Sequence, residues 1–399
     1  MSEAVIGEQT QEMIDKMWDI VYRDFKADYE SGEVFEKLND NEFIRPFSER
    51  LLAFYNEILN SSFTAEEATK DLQRRVKQKE IPLNRNNIAN WFSGITEPKY
   101  GDKDRKNLFA VAFALELDPG QTEKLFHKVF LDKAFNKRNI NEFIYLHCIV
   151  NKKPLSVAEA LISKLDSISA DNMPNDQTEL TQFLADAASK DMSESEFLKF
   201  IASHQHNFSL NNTAAKKHRQ VLLDRLTIGS GGGSGLASQE FERRRYELQD
   251  NKDTFSFDGK DSKSVDFLLF LITDVDFVRK GNKDIQSMRY KLPRKEISNQ
   301  FPDKQSLSTK DPSSYALRKD IILLYFYDYW VSDFLDGKNA GDYDGFTTGL
   351  NDVLFDCGFS PLYVGNPYDW LFLYCSACAD QDYTPLDRFR GLLAQEQHN

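Results

Sequence analysis

Asn84-Arg85-Asn86-Asn87-Ile88-Ala89-Asn90-Trp91-Phe92-Ser93-Gly94-Ile95-Thr96-Glu97-Pro98 gathers amide and guanidinium side chains on a short segment with one indole anchor and a Gly/Pro stop. Asn offers a paired donor and acceptor that match the adenine edge, and Arg offers a fork of donors to guanine. A helix that begins with such residues therefore has the chemistry to read a DNA major groove. Ile88 and Trp91, three apart, face inward on this reading, leaving Arg85, Asn86, Asn87 and Asn90 outside as base-reading groups. Asn84 is placed to cap the helix rather than to read.

Other residues with reactive or ligating side chains make weaker patterns. Cys375-Ser376-Ala377-Cys378 has redox or metal spacing, but no second Cys pair or His pair completes a zinc set, and its apolar aromatic setting points to core thiols. His204-Gln205-His206 lies in a polar stretch and reads as surface. Asp266, Asp274 and Asp276 do not share a helical face, and with Asp328, Asp333 and Asp336 they read as solvated rather than as a metal site. The phosphate-binding, dinucleotide, zinc-protease and nucleophile-elbow motifs are all missing from the sequence. The expectation is a protein that is not an enzyme and uses no metal or cofactor; an enzymatic site among the C-terminal aspartates and aromatics is the weakest alternative.

The elements that must position the amide-rich segment are helical. With 399 residues the chain exceeds one compact core, and its 31 Phe and 16 Tyr can fill two or three. Thr64-Ala65-Glu66-Glu67 fits a capping box, as do Asp118 with Gln121, Ser156 with Glu159 and Ser193 with Glu196. Helical apolar spacing runs through Leu108, Val111, Ala112 and Leu115, and through Leu180, Phe183, Leu184 and Ala187. Five helices are predicted over Ser48–Leu59, Ala65–Lys77, Asn84–Phe92, Lys103–Glu116 and Pro119–Phe130. Val265–Ile272, Ile321–Leu335 and Trp370–Ala379 read as buried helices, and Asn251–Lys263 and Arg279–Ser314 as long polar loops.

Formal net charge is −13, distributed unevenly. Between Lys70 and Lys106 ten basic residues face five acids, a net +5 that leaves −18 on the remainder. A basic island on an acidic chain marks a dedicated anion-facing site better than uniform basicity would. Four Cys in such a length are no disulfide framework, no apolar run reaches the length of a membrane span, and the N-terminus carries no leader pattern, so a cytoplasmic protein is expected.

The order of these helices resembles the Cro/CI-like (XRE-type) helix-turn-helix family. The resemblance is carried by Thr64-Ala65-Glu66-Glu67-Ala68, Asn87-Ile88-Ala89-Asn90-Trp91, Gly94 and Pro98, then Ala112-Phe113-Ala114-Leu115-Glu116-Leu117-Asp118. It covers about 80 residues. Lys79-Glu80-Ile81-Pro82-Leu83 departs from the family's tight glycine-containing turn, and the stretch from Thr64 to Asn84 is longer than usual. The resemblance implies that the third helix reads bases through Arg85, Asn86, Asn87 and Asn90, while Lys77, Lys79, Lys99, Lys103 and Arg105 hold phosphates. It also implies a double-stranded DNA partner and a homodimer on two half-sites.

The expected fold is mainly α: an N-terminal five-helix helix-turn-helix bundle and a larger C-terminal helical region. Residues 1–46 would be an arm, 47–150 the DNA-binding-like domain, 151–228 a helical connector and 236–399 an aromatic-rich C-terminal domain. Gly229-Ser230-Gly231-Gly232-Gly233-Ser234-Gly235 reads as a designed linker in place of a native segment, and as the boundary between structured halves. The functional expectation is a sequence-specific transcriptional regulator of bacterial or mobile-element type. The alternative is a protein-interaction module. It would grip a partner with the helical surfaces and with two aromatic stretches, Tyr325-Phe326-Tyr327-Asp328-Tyr329-Trp330 and Asn366-Pro367-Tyr368-Asp369-Trp370-Leu371-Phe372-Leu373-Tyr374.

Overall fold

The computed structural model describes residues 44–98, 101–165, 180–204, 208, 213–228, 234–244, 265–273, 297, 300–302, 304–310, 312–336, 342–377 and 384–394. Every regular element among them is helical, and no helix there is long and apolar enough to cross a membrane. The mainly α expectation is thus met. The chain divides into two compact units, with Arg45–Thr213 and Cys357–Ser360 in the first and Ala214–Asp356 and Pro361–Asn399 in the second. The expected polar loop at 251–263 and most of the one at 279–314 fall outside the described residues.

The first unit holds α1 (Phe47–Leu59), α2 (Ala65–Gln78), α3 (Arg85–Phe92), α4 (Asp102–Leu115), α5 (Pro119–Leu125) running into a π-helical turn (Phe126–Phe130), α6 (Ile140–Val150), α7 (Leu155–Ser163), α8 (Leu180–Ser189) and α9 (Glu194–Ser203). Three starts are the capping boxes expected from the sequence, with Thr64, Asp118 and Ser193 accepting the N3 amide while Glu67, Gln121 and Glu196 reach back. The fourth is corrected. Pro154 occupies the N-cap of α7, so Ser156 lies inside the helix, and Glu159 pairs with Lys106 at 3.1 Å instead. Phe183, part of the apolar spacing of α8, is 41% exposed and its ring lies tilted against Phe200 and His204.

Helix ends in this unit share one device. Asn60, Glu80, Glu116 and Lys152 all take positive φ just after α1, α2, α4 and α6. In each case the following amide bonds five residues back: Ser61 to Asn56, Ile81 to Val76, Leu117 to Ala112 and Lys153 to Cys148. These are Schellman caps, normally built on glycine because a Cβ disfavours the left-handed region. The turn between α2 and α3 therefore makes this cap without a glycine, Glu80 standing at φ 53°. Ile81 and Leu83 tuck into the core behind it.

Further along, His147 is fully buried, stacked on Phe197 at 3.8 Å, with Nδ1 3.1 Å from the Ala188 carbonyl oxygen. Lys153 Nζ lies 3.1 Å from Nε2, so a neutral ring that donates from Nδ1 and accepts at Nε2 satisfies both contacts. Burial first, and Lys153 besides, lower the imidazole pKa below its usual 6.5.

The second unit holds α10 (Thr213–Thr227), α11 (Leu236–Arg243), α12 (Val265–Thr273), α13 (Lys304–Ser308), α14 (Ser314–Asp336), α15 (Tyr343–Asp356), α16 (Pro367–Ser376) and α17 (Pro385–Ala394). The long α14 is its spine. On α10, Arg219 donates to the Leu307 and Thr309 carbonyls and faces Asp320 of α14 at 3.4 Å, while Arg225 meets Asp328 at 3.1 Å. On α11, Glu240 accepts from Tyr327 Oη and pairs with Arg390 at 2.7 Å, and Arg243 donates to the Phe334 carbonyl. Helices on both sides of the Gly/Ser run are thus tied to the same spine, which corrects the expected boundary. The units divide near Thr213, and the linker lies inside the second unit.

Both aromatic stretches are mostly interior. Phe326, Tyr327, Trp330, Tyr368, Trp370, Phe372 and Tyr374 are all buried, so they form core and not the partner-gripping surface entertained from sequence. Asn366 caps α16 by accepting from the Tyr368 and Asp369 amides. Asp369 takes a bidentate pair from Arg318 at 2.8 and 2.6 Å. Cys375 is a core thiol as expected. Asp328 is buried rather than solvated, and desolvation, only partly opposed by Arg225, raises its pKa to about 6.

Two outcomes follow. Glu80→Gly removes the left-handed penalty and so leaves stability unchanged or raises it by up to about 1 kcal/mol, whereas Glu80→Val costs about 1–2 kcal/mol in thermal or urea unfolding. For His147, the unfolded state takes up its proton first as pH falls below about 6.5. Its contribution to stability is therefore present above that value and lost as pH falls through the lower folded-state pKa. Urea titrations at neutral and mildly acidic pH should show this slope, partly flattened by His147→Gln. His127, also lowered by burial, retains the rest.

Candidate nucleic-acid interface

The amide-rich helix α3 is seated on its inner face by Ile88, Trp91 and Phe92, all buried. Trp91 meets Phe47 edge-on at 5.9 Å, and Phe92 meets Tyr55 edge-on at 5.5 Å, so α1 is its platform. Tyr55 in turn donates to Asp71 of α2 at 2.7 Å. Burial pushes the Asp71 carboxyl up, but Arg75, Tyr55 and Arg74 together hold it down at about 2. Gln73 Nε2 of α2 donates to the Arg85 carbonyl at 3.0 Å, joining the second helix to the first turn of the third.

Asn84 caps α3 by accepting from the Asn86 amide at 2.8 Å, the role expected for it. At 100° per residue, Asn86 and Asn90 lie opposite the buried stripe, with Asn87 on one flank and Arg85 on the other. The accessibility pattern agrees: Arg85 and Asn86 are exposed, Asn87 and Asn90 half-buried. None of the four side chains makes a hydrogen bond or ion pair among the described residues. After the Gly94 turn the Thr96 amide bonds back to the Asn90 carbonyl, which leaves Ile95 72% exposed beside this face.

The five residues expected to hold phosphates separate in the structure. Lys77, in the last turn of α2, and Lys103, in the first turn of α4, are exposed and form no ion pair among the described residues. Lys79 reaches Glu116 at 2.7 Å and the Phe113 carbonyl at 3.4 Å, which ties the end of α2 to the end of α4. Lys99 lies outside the described residues. Arg105 is corrected outright. It is 8% exposed, and its guanidinium donates to Glu142 at 2.7 and 3.0 Å, to Asp132 at 2.7 Å and to the Lys133 and Ala134 carbonyls at 3.0 and 2.6 Å. With every donor turned inward, no phosphate reaches it.

The basic island is thereby much reduced. Lys70 pairs with Glu66, Arg74 and Arg75 with Asp71, Lys79 with Glu116, Arg105 with Asp132 and Glu142, and Lys106 with Glu159. Among the described residues of the window, Arg85, Lys77 and Lys103 remain for an outside anion. Several of the neutralising carboxylates come from beyond the window, a pairing that linear charge counting could not find. No group of His, Cys, Asp and Glu among the described residues is arranged to hold a metal ion. No protein-family model matches this chain, and neither the curated proteins nor the solved structures contain a match to it.

Arg105→Ala strands two buried carboxylates and should cost about 3–5 kcal/mol in chemical denaturation. Lys103→Ala, on the same helical turn but exposed, should change stability by less than about 0.5 kcal/mol. Equal, small effects would return Arg105 to the surface.

Proposed function

We propose that the first unit is a helix-turn-helix reader of double-stranded DNA, with α3 entering the major groove. The observation that carries this reading is the outward face of α3. It holds three amides and a guanidinium with no internal hydrogen-bond partner among the described residues, on a helix clamped from behind by Trp91 and Phe92. An unengaged Asn costs little in water but matches adenine with two hydrogen bonds, each good pair being worth about 1–3 kcal/mol of base discrimination. Asn86 and Asn90 are the central readers, Arg85 and Asn87 the flanking ones, and Lys77 and Lys103 the phosphate anchors.

The second reading is a protein-interaction module on the same scaffold. It is favoured by the internal neutralisation of the basic island and by the net −13 of the chain, which opposes approach to a polyanion.

Selection of bound duplexes from random sequence at moderate salt separates the two. The DNA reading requires an enriched motif. Asn86→Ala with Asn90→Ala should then abolish preference among selected sequences while leaving the fold intact. Lys77→Ala should weaken all duplexes alike and reduce the salt slope by about one. Failure to enrich any sequence, with the unit folded, would favour the protein-interaction reading.

A further inference from the structure

Helix α10 of the second unit buries Ala215, Arg219, Leu222, Leu223 and Leu226. Its opposite stripe, at alternating three- and four-residue steps, is Ala214, Lys217, Val221, Asp224 and Ile228, all exposed. Val221 is 56% and Ile228 42% exposed, and both belong to the small set of large apolar side chains so placed among the described residues. Lys217 and Asp224 form no ion pair there, although Asp224 accepts from Gln220 of its own helix at 2.8 Å. An apolar stripe interrupted by one cation and one anion is complemented by an occupant that answers both charges.

The stripe answers itself. Set two copies of α10 antiparallel about a two-fold axis through Val221. Ala214 and Ile228 each lie seven residues from that centre, so the small side chain of one copy faces the large one of the other. Lys217 lies four residues before the centre and Asp224 three after, about 6 and 4.5 Å along the axis, so each Lys217 comes beside the other copy's Asp224. Such pairing of one patch with itself is what a two-fold interface demands. Within one helix the same two residues are seven apart and too distant to pair.

We propose that the exposed stripe of α10 is a self-association surface that holds two copies of this chain antiparallel through Val221 and two reciprocal Lys217–Asp224 pairs. The proposal is independent of the DNA reading, since it concerns the other unit. One helix pair buries little area, and the net charge of the chain opposes association, so the dimer is a weak one, populated in the micromolar to millimolar range.

Sedimentation equilibrium of the full chain at low salt tests it. The unaltered protein should show a monomer–dimer equilibrium, and Val221→Glu should remove it. Lys217→Glu and Asp224→Lys should each weaken association at least tenfold, and the double charge reversal should recover most of the loss. Circular dichroism of each variant checks that the helix is retained. A monomer at every concentration overturns the proposal. So does a dimer indifferent to Val221→Glu, or a double reversal as weak as the single ones.

Discussion

The guanidinium of Arg105 is a full charge taken out of water, and much of the first unit is arranged to receive it. Desolvating such a group costs several kcal/mol unless carboxylates and carbonyls replace its hydration. Here the replacements come from two places: Asp132 and the Lys133 and Ala134 carbonyls just after the π-helical turn, and Glu142 in the first turn of α6. Leu131, at φ 54°, reverses the chain so that Asp132 can arrive, and Glu142 also accepts from the Asn136 amide. The Arg105 carbon lies 5.1 Å from the Phe126 ring centre, which places the charge against an aromatic face as well. Because α4, which carries Arg105, packs against α2, and α2 packs against α3, the outward helix inherits its footing from this cluster.

The same constraint changes the electrostatic character of the unit. A linear count makes the segment from Lys70 to Lys106 a basic island, but folding assigns most of those cations to carboxylates of the same unit. What α3 can offer a nucleic acid is then chiefly hydrogen-bonding specificity, with few cations to supply affinity. Phosphate neutralisation supplies most nonspecific binding. On the proposed DNA reading, such a unit discriminates better than it adheres, and a second copy on a second half-site would raise its occupancy without adding cations to either.

Much of the local structure was legible in the sequence because it depends on neighbours in the chain. Thr64 with Glu67, Asp118 with Gln121 and Ser193 with Glu196 mark helix starts by three-residue chemistry, and Ile88 with Trp91 marks the buried face of α3 by spacing alone. Legibility ends where partners are distant or a residue acts against its type. Arg105 sits in an Asp-Lys-Asp-Arg-Lys run that looks solvated, and its carboxylates lie 27 and 37 positions away. Glu80 and Glu116 perform the task of glycine, so the usual stop signal is absent from the sequence although the stop is made. Pro154 takes the cap that Ser156 would have supplied. The aromatic stretches near Trp330 and Trp370 could be core or surface by composition, and only packing decides that they are core.

The Gly/Ser run shows how a strong compositional signal can point to the wrong boundary. Seven small residues announce flexibility, yet the helices they join are both fixed to α14, α10 through Asp320 and Asp328 and α11 through Tyr327 and the Phe334 carbonyl. Gly235 lies against the end of α10: a Cβ there would stand 2.3 Å from the Leu226 carbonyl oxygen. At that position glycine is required by a close backbone approach and not by any need for mobility. Closing so short a gap with a short loop costs little entropy, because the anchoring helices hold its ends together and closure depends only weakly on length. The helices on either side of the run therefore belong to one packed unit. The true division falls near Thr213, where the spine-anchored α10 begins and no glycine marks the change.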